Sequence, residues 1–235
     1  MSELSERVDL AANFYNQSFL NFDYQLADFS FRTLKPYFHG KLALELGPSS
    51  GYMTRSLVKE FEQLHLVEGA KSLLDQIPDY PNVVKNHSLF EDFETTERYD
   101  TIVMSHVLEH ICTPLQILTK IRSWLRDDGV FLVSVPNARS LHRMVAVEMG
   151  LLANEYQLNQ RDKDLGHYRV YDLDSLRKDV VDAGFKVRHS GGYFLKPLSN
   201  AQIEQNWNQQ MIDGFYKLGA HFQQNCAEIF VVCSK

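Results

Sequence analysis

Residues 41–54, Lys-Leu-Ala-Leu-Glu-Leu-Gly-Pro-Ser-Ser-Gly-Tyr-Met-Thr, constrain the fold of this chain more than any other stretch. Leu42 to Leu46 is a short apolar run, as expected of a strand buried on both faces of a parallel sheet. It breaks into Gly47-Pro48-Ser49-Ser50-Gly51, and a helical pattern follows from Tyr52 through Leu57, Val58 and Phe61. Strand, glycine turn and helix together form a ligand cradle, because glycines admit a close backbone approach and free amides face the ligand. A dehydrogenase fingerprint would place a pyrophosphate on that turn. Here Glu45 stands beside it, and a carboxylate repels a pyrophosphate and welcomes a cation. A second apolar run, Leu64 to Val67, ends in Glu68, 21 residues after Gly47. An acid at that distance, on the tip of the second strand, is placed to accept hydrogen bonds from ribose hydroxyls.

Composition sets the outer limits. The 235 residues suffice for one α/β domain with a full core, and 44% hydrophobic with 23% charged residues is ordinary for a globular chain. A net charge of −6 argues against a general nucleic-acid binder. No apolar run approaches the ~20 residues that span a bilayer, and no signal peptide is recognisable, so a cytoplasmic location without membrane contact is expected. Cys112, Cys226 and Cys233 lack metal-ligand spacing and read as reduced and structural.

The chain continues in βαβ rhythm. Helix from Ala70 to Gln76, a turn at Tyr80-Pro81 and a short strand at Val83-Val84 are followed by a loop from Asn86 to Phe93. Tyr99 to Ser105 reads as a fourth strand. The next helix carries Leu115, Ile117, Leu118, Ile121, Trp124 and Leu125, and Asp127-Asp128-Gly129 turns into a fifth strand, Val130 to Val135. A further helix, with Leu173, Leu176 and Val180 on one face, precedes a strand from Phe185 to Tyr193, and Ala227 to Cys233 forms a closing strand. Residues 1–40 are rich in aromatics, with Tyr15, Phe19 and Phe22 at helical spacing.

The Glu45-x-Gly47 turn, the acid at Glu68 and the Tyr99–Asn137 unit resemble class I S-adenosylmethionine-dependent methyltransferases. Within that class the chain is similar to the small-molecule O-methyltransferases of the ubiquinone-biosynthesis type. The resemblance implies an α/β, doubly wound, mostly parallel seven-stranded Rossmann-like sheet, with an antiparallel last strand at the edge. It implies one domain over residues 1–235, with an N-terminal helical lid at 1–40. Helical inserts at 138–166 and 198–224 would form the substrate cap. S-adenosylmethionine is the implied cofactor. Glu45, Gly47, Ser49, Gly51, Glu68, Gly69 and Ser105 would surround it, with Ser88, Leu89 and Phe90 at the adenine and Tyr24 lent by the lid.

Methyl transfer is an in-line displacement in which the protein aligns the reactants and can take a proton. Histidine is the first choice of base near neutral pH. His106 adjoins the tip of the fourth strand in Ser105-His106-Val107-Leu108-Glu109-His110, which makes His106 and His110 candidates; His167, in Gly166-His167-Tyr168-Arg169-Val170-Tyr171, is the third. Tyr168, Arg169, Tyr171 and Asn137 are the expected substrate contacts. His106-x-x-Glu109-His110 also has the form of an inverted zinc-protease motif, but a strand tip of a nucleotide-type sheet is the wrong setting. The resembled O-methyltransferases carry Glu-x-x-Glu-His here, associated with a divalent metal. His106 replaces the first glutamate, so a metal is conceivable and not expected.

The expected activity is methyl transfer to a small-molecule acceptor, at oxygen. Two alternatives stand beside it: transfer to an amine or carboxylate by proximity alone, and a non-catalytic module binding S-adenosylmethionine or S-adenosylhomocysteine. The stripe Ile203, Trp207, Met211, Ile212, Phe215 and Leu218 could serve as a homodimer contact.

Overall fold

In the computed structural model, which describes residues 21–235 together with Val8 and Ala12, seven strands form one sheet. A first helix, α1 (Asn21–Leu34), leads into β1 (Leu42–Leu46). Then come α2 (Thr54–Leu57), β2 (Gln63–Glu68), α3 (Lys71–Leu74), β3 (Val83–His87) and β4 (Tyr99–Ser105). Helix α4 (Pro114–Trp124), β5 (Leu125–Pro136), α5 (Leu141–Glu148), α6 (Gln160–Asp164) and α7 (Leu173–Asp182) follow. The chain closes with β6 (Lys186–Tyr193), α8 (Asn200–Asn206), α9 (Gln209–Leu218) and β7 (Glu228–Ser234). The strand order is β3-β2-β1-β4-β5-β7-β6, so the winding reverses between β1 and β4. In open α/β sheets the crevice at such a reversal is where ligands bind.

The period-two alternation of the strands explains why both faces are covered. Leu44, Leu46, Ile102, Met104, Phe131 and Val133 share one core cluster with Ile117 and Ile121 of α4 and Leu176 and Val180 of α7. Ala43, Val103, Leu132, Phe230 and Val232 point to the other face, against Phe22 and Phe29 of α1, Ile203 of α8 and Ile212 of α9. A strand between two such layers must be apolar throughout, and β4 is buried from Tyr99 to Met104.

Several sequence expectations shift. Strand β7 is antiparallel, as expected, but it lies between β5 and β6 rather than at the edge. The residue pattern explains this: Ile229 to Cys233 is buried throughout, whereas Lys186 to Ser190 of β6 is largely polar and suits an edge. Asp127-Asp128-Gly129 is no turn between elements but an irregularity inside β5, exposed at Asp127 and Asp128 and buried at Gly129, where the register with β4 slips between Tyr99 and Thr101. Any side chain at Gly129 would meet the Tyr99 carbonyl 2.9 Å away. Strand β3 runs on to His87, so Asn86 and His87 belong to the sheet and the loop begins at Ser88. The second insert is broken at Trp207–Asn208, where Asn208 caps α9 by accepting from the Met211 amide at 2.9 Å. The break splits the expected stripe, burying Ile203 and Ile212 and leaving Met211 and Leu218 exposed.

Of the aromatics before β1, Phe14, Tyr15 and Phe19 lie outside the described residues. Phe22 and Phe29 are core, Phe29 stacked on Phe194 and Phe22 tilted against it. Cys226 and Cys233 are buried and free, while Cys112 is exposed rather than packed inside.

Candidate active site

The carboxyl ends of the strands open into one cavity of about 1160 Å³. That exceeds the ~300–1,000 Å³ typical of a single ligand. Two groups of residues form its wall. One comes from β1, β2 and the loop after β3; the other from α1, the β4 tip, the inserts and β7.

The first group is organised by two acids. Glu45 lies on β1 facing α2, where the Thr54 hydroxyl donates to its Oε2 at 2.7 Å. Burial pushes its carboxyl up to about 8, with nearby Glu68 adding to the rise. Glu68, at the end of β2, accepts from the Ser49 amide at 3.0 Å and from the Ala70 amide at 2.9 Å. Its pKa is also raised by burial, and those backbone donors oppose the rise. The Ser49 bond ties the glycine turn to the tip of β2. Gly47 has φ +69°, and a Cβ there would come within 2.4 Å of the Val107 side chain, so only glycine fits where the β1 and β4 tips meet. Gly69, Leu89 and Phe90 complete this wall, with Leu73, Val8 and Ala12 beside them.

The second group is centred on His106. The residue takes φ +56°, rare for a non-glycine, while its amide donates to the Ser134 carbonyl at 2.9 Å. Beneath it the hydroxyls of Ser30, Ser105 and Ser134 form a bonded cluster, 2.8 Å from Ser30 to Ser105 and 2.9 Å from Ser105 to Ser134. Burial lowers the His106 pKa, partly offset by Glu109 and Asp23. His110 is pushed down to about 3 by burial and by the neighbouring imidazoles of His167 and His106. The rings of His110 and His167 meet edge to face at 4.6 Å. His167 Nδ1 lies 3.5 Å from Asp162, whose carboxylate also pairs with Arg143 at 3.0 Å and caps α6. Burial would raise Asp162, but His167, the Asn159 amide and Arg143 together hold it at about 2.

The structure therefore brings most of the expected residues to one wall: Glu45, Gly47, Ser49, Glu68, Gly69, Leu89, Phe90, Ser105, His106, His110, His167 and Tyr168. Others stand off it. Gly51 (φ +83°) backs onto Ile77 and serves the turn alone. The Ser88 hydroxyl donates to the Leu89 carbonyl. Tyr24 packs on Tyr52, ring centroids 4.0 Å apart, and it is Tyr52 that reaches the cavity. Asn137 spends its amide on the Gln224 and Cys226 carbonyls, at 2.9 and 2.8 Å. Arg169 donates to the carbonyls of Ile111 and Cys112, at 2.8 and 2.9 Å, and so fastens a loop rather than a substrate anion. Tyr171 is core, its hydroxyl donating to Asp179 at 2.9 Å.

Sequence reasoning missed Asp23, Arg161, Lys196 and Glu228, all on the wall. Glu228 carried a signal, a lone acid opening an otherwise apolar strand. Burial pushes it up to about 8, and Lys196 draws it down. Lys196 is itself lowered to about 8 by burial, opposed by Glu228. Glu109, His110 and His167 each offer one ligand atom within 4.8 Å of the others. Two imidazoles and one carboxylate suit a borderline metal better than magnesium.

Known proteins share this architecture. The chain matches the Methyltransferase domain family over residues 19–190, and it belongs to that family. It is 23% identical over 175 residues to the ubiquinone biosynthesis O-methyltransferase of Glaesserella parasuis, a match covering 68% of this chain and 71% of that protein. A malonyl-[acyl-carrier protein] O-methyltransferase of Halalkalibacterium halodurans is 27% identical over 101 residues, covering 39% of this chain and only 37% of the relative. Among solved structures, the N-methyltransferase NodS of Bradyrhizobium japonicum, in complex with S-adenosylhomocysteine, superposes with a TM-score of 0.62 at 10% identity, covering 100% of this chain and 99% of NodS. A Thermotoga maritima protein described as a possible histamine N-methyltransferase gives 0.66 at 13% identity, over 97% of this chain and 99% of that one. The fold and family make this an S-adenosylmethionine-dependent methyltransferase. Among the described residues no helix is long and apolar enough to cross a membrane.

Proposed function

We propose that this enzyme methylates an oxygen of a small polar acceptor and that His106 takes the acceptor's proton. The observation carrying this reading is the polar chamber at the β4 tip, where Asp23, Glu109, Arg161, Lys196 and Glu228 line the cavity around His106. Such a wall disfavours a lipidic or wholly apolar acceptor, because its buried charges would lose water without gaining partners.

S-adenosylmethionine supplies an electrophilic methyl group on a sulfonium that leaves as a neutral thioether. Glu68 accepts hydrogen bonds from the ribose hydroxyls with the lone pairs its backbone partners leave free. Leu89 and Phe90 cover the adenine, and Glu45 with the Gly47–Ser49 turn receives the cationic end. Val8 and Ala12 pack on Ala70 and Leu73, which supports a segment before β1 acting as a lid on this half. His106, kept neutral by burial, accepts the proton that the attacking oxygen releases. Alignment of the reactants in the cavity contributes further, on the order of several kcal/mol. His110 and His167 meet edge to face, His167 reaches Asp162, and the pair helps shape the chamber's far wall.

The test is a screen of small polar metabolites with S-adenosylmethionine, reading S-adenosylhomocysteine release and the methylated product by mass spectrometry. O-methylated products, with turnover lost in His106→Asn, are expected. N-methylated products, with turnover retained in that variant, would assign the reaction to amines and to proximity alone.

A further inference from the structure

The two ring nitrogens of His106 have different surroundings. Nε2 is buried, 3.2 Å from Glu228 Oε2, and neither atom has a hydrogen-bond partner as the side chains stand. Nδ1 lies 4.0 Å from Glu109 Oε1, beyond a hydrogen bond. Glu228 is held firmly where it sits. It opens β7, with Pro136 of β5 on one side and Tyr193 of β6 on the other, and its side chain is 4% exposed. His106 is held too, by a left-handed backbone that is strained for a non-glycine and persists only where its surroundings fix it. Two rigid elements thus set an imidazole nitrogen and a carboxyl oxygen 3.2 Å apart on the wall of a cavity, out of line for a hydrogen bond as they stand. Catalytic hydrogen bonds are often loosely aligned until the ligands arrive.

We propose that Glu228 is the positioning residue of His106: its carboxylate takes the Nε2–H, fixes the tautomer, and reserves the Nδ1 lone pair for the acceptor's proton. This rests on the reading of His106 as the base. In the step itself, an oxygen electron pair forms the bond to the methyl carbon and the carbon–sulfur pair stays on sulfur. The acceptor's proton passes to Nδ1, and the imidazolium so formed is paired with Glu228. The groups around the pair include Asp23 from α1, Glu109 and His110 after β4, His167 just past the first insert and Lys196 after β6. Lys196 favours the ionised form of Glu228, but burial outweighs it, so the carboxylate becomes the majority form only above about 8.

The experiment needs no methyl acceptor. Protein labelled with [15N]histidine is saturated with S-adenosylhomocysteine and buffered above the value of about 8 to which burial pushes Glu228. The His106 signals are identified by their loss in His106→Asn. The expected spectrum shows Nε2 protonated and Nδ1 bare. In Glu228→Met, of similar volume but without an oxygen, the signals should move toward a mixture of tautomers. Glu228→Gln, whose amide oxygen can still accept from Nε2–H, should restore the single tautomer. Affinity for S-adenosylhomocysteine should be unchanged in both. A wild-type ring protonated at Nδ1, or the same single tautomer in Glu228→Met, overturns the proposal. If Glu228→Met does not fold, the wild-type tautomer decides alone. Loss of the base reading registers separately, as retained turnover in His106→Asn.

Discussion

The two halves of the cavity are built in opposite ways. On the proposed cofactor side each acid is satisfied from within one βαβ unit or just past it: Glu45 by Thr54, and Glu68 by Ser49 and Ala70. On the proposed acceptor side His106 Nε2, Glu109 Oε2 and Glu228 Oε2 are buried without a hydrogen bond, and they come from the distant β4 tip and β7. Buried polar groups left unpaired cost about 1–3 kcal/mol each. On the proposed reading, the half that is complete without a ligand holds the cofactor, and the half with open valences takes the acceptor.

The largest effect that would sharpen this contrast is on turnover. His106→Asn should lower the rate by about 10²–10⁴-fold, the usual cost of removing a positioned base. S-adenosylmethionine affinity should stay within twofold, since the ring touches only the acceptor half. Equal losses in rate and cofactor affinity would merge the two halves into one.

Next in size is Glu68→Ala, which should weaken S-adenosylmethionine and S-adenosylhomocysteine alike by roughly 1–3 kcal/mol. Removing the carboxylate also frees the Ser49 amide and loosens the glycine turn. Calorimetry showing unchanged affinity for both ligands would remove Glu68 from the ribose. Gly47→Ala follows at about 1 kcal/mol or somewhat more in folding stability, because a side chain at φ +69° is strained and would press on Val107. Chemical denaturation reads it. A neutral outcome would mean that the β1 and β4 tips are less tightly joined than they stand.

The same contrast explains what could be read from sequence. Glu45, Gly47 and Glu68 lie within one βαβ unit, so spacing alone fixes their relation. His106 was legible because it sits one residue past a strand tip. Asp23, Lys196 and Glu228 meet only after α1, β6 and β7 have docked, and no local pattern encodes that meeting. Arg169 and Tyr171 looked functional because a cation and a ring in tandem resemble a substrate wall, yet both turned inward to hold the loop and the core. The placement of β7 was readable in hindsight from its unbroken apolar run beside the polar β6.

The smallest effect is a proton count. Glu45 is pushed up to about 8 by burial, so near neutral pH the ligand-free carboxyl is mostly protonated. A cation arriving beside it favours the ionised form, so S-adenosylhomocysteine should release up to about one proton on binding. Stability gives the matching sign. A carboxyl whose folded value exceeds the ordinary 4.5 stabilises the free protein fully below 4.5, and that contribution is lost as pH rises through about 8. Glu228, also pushed to about 8, adds the same slope in the free and bound states. Melting temperature should therefore fall over this interval, and less steeply with S-adenosylhomocysteine bound. Binding heats compared in two buffers of different ionisation enthalpy give the proton number directly. Glu45→Gln should abolish it while leaving the heat of the acceptor half untouched. Proton release that survives Glu45→Gln would place the titrating group among Asp23, Glu109 and Glu228, and the two halves of the cavity would then be electrostatically one.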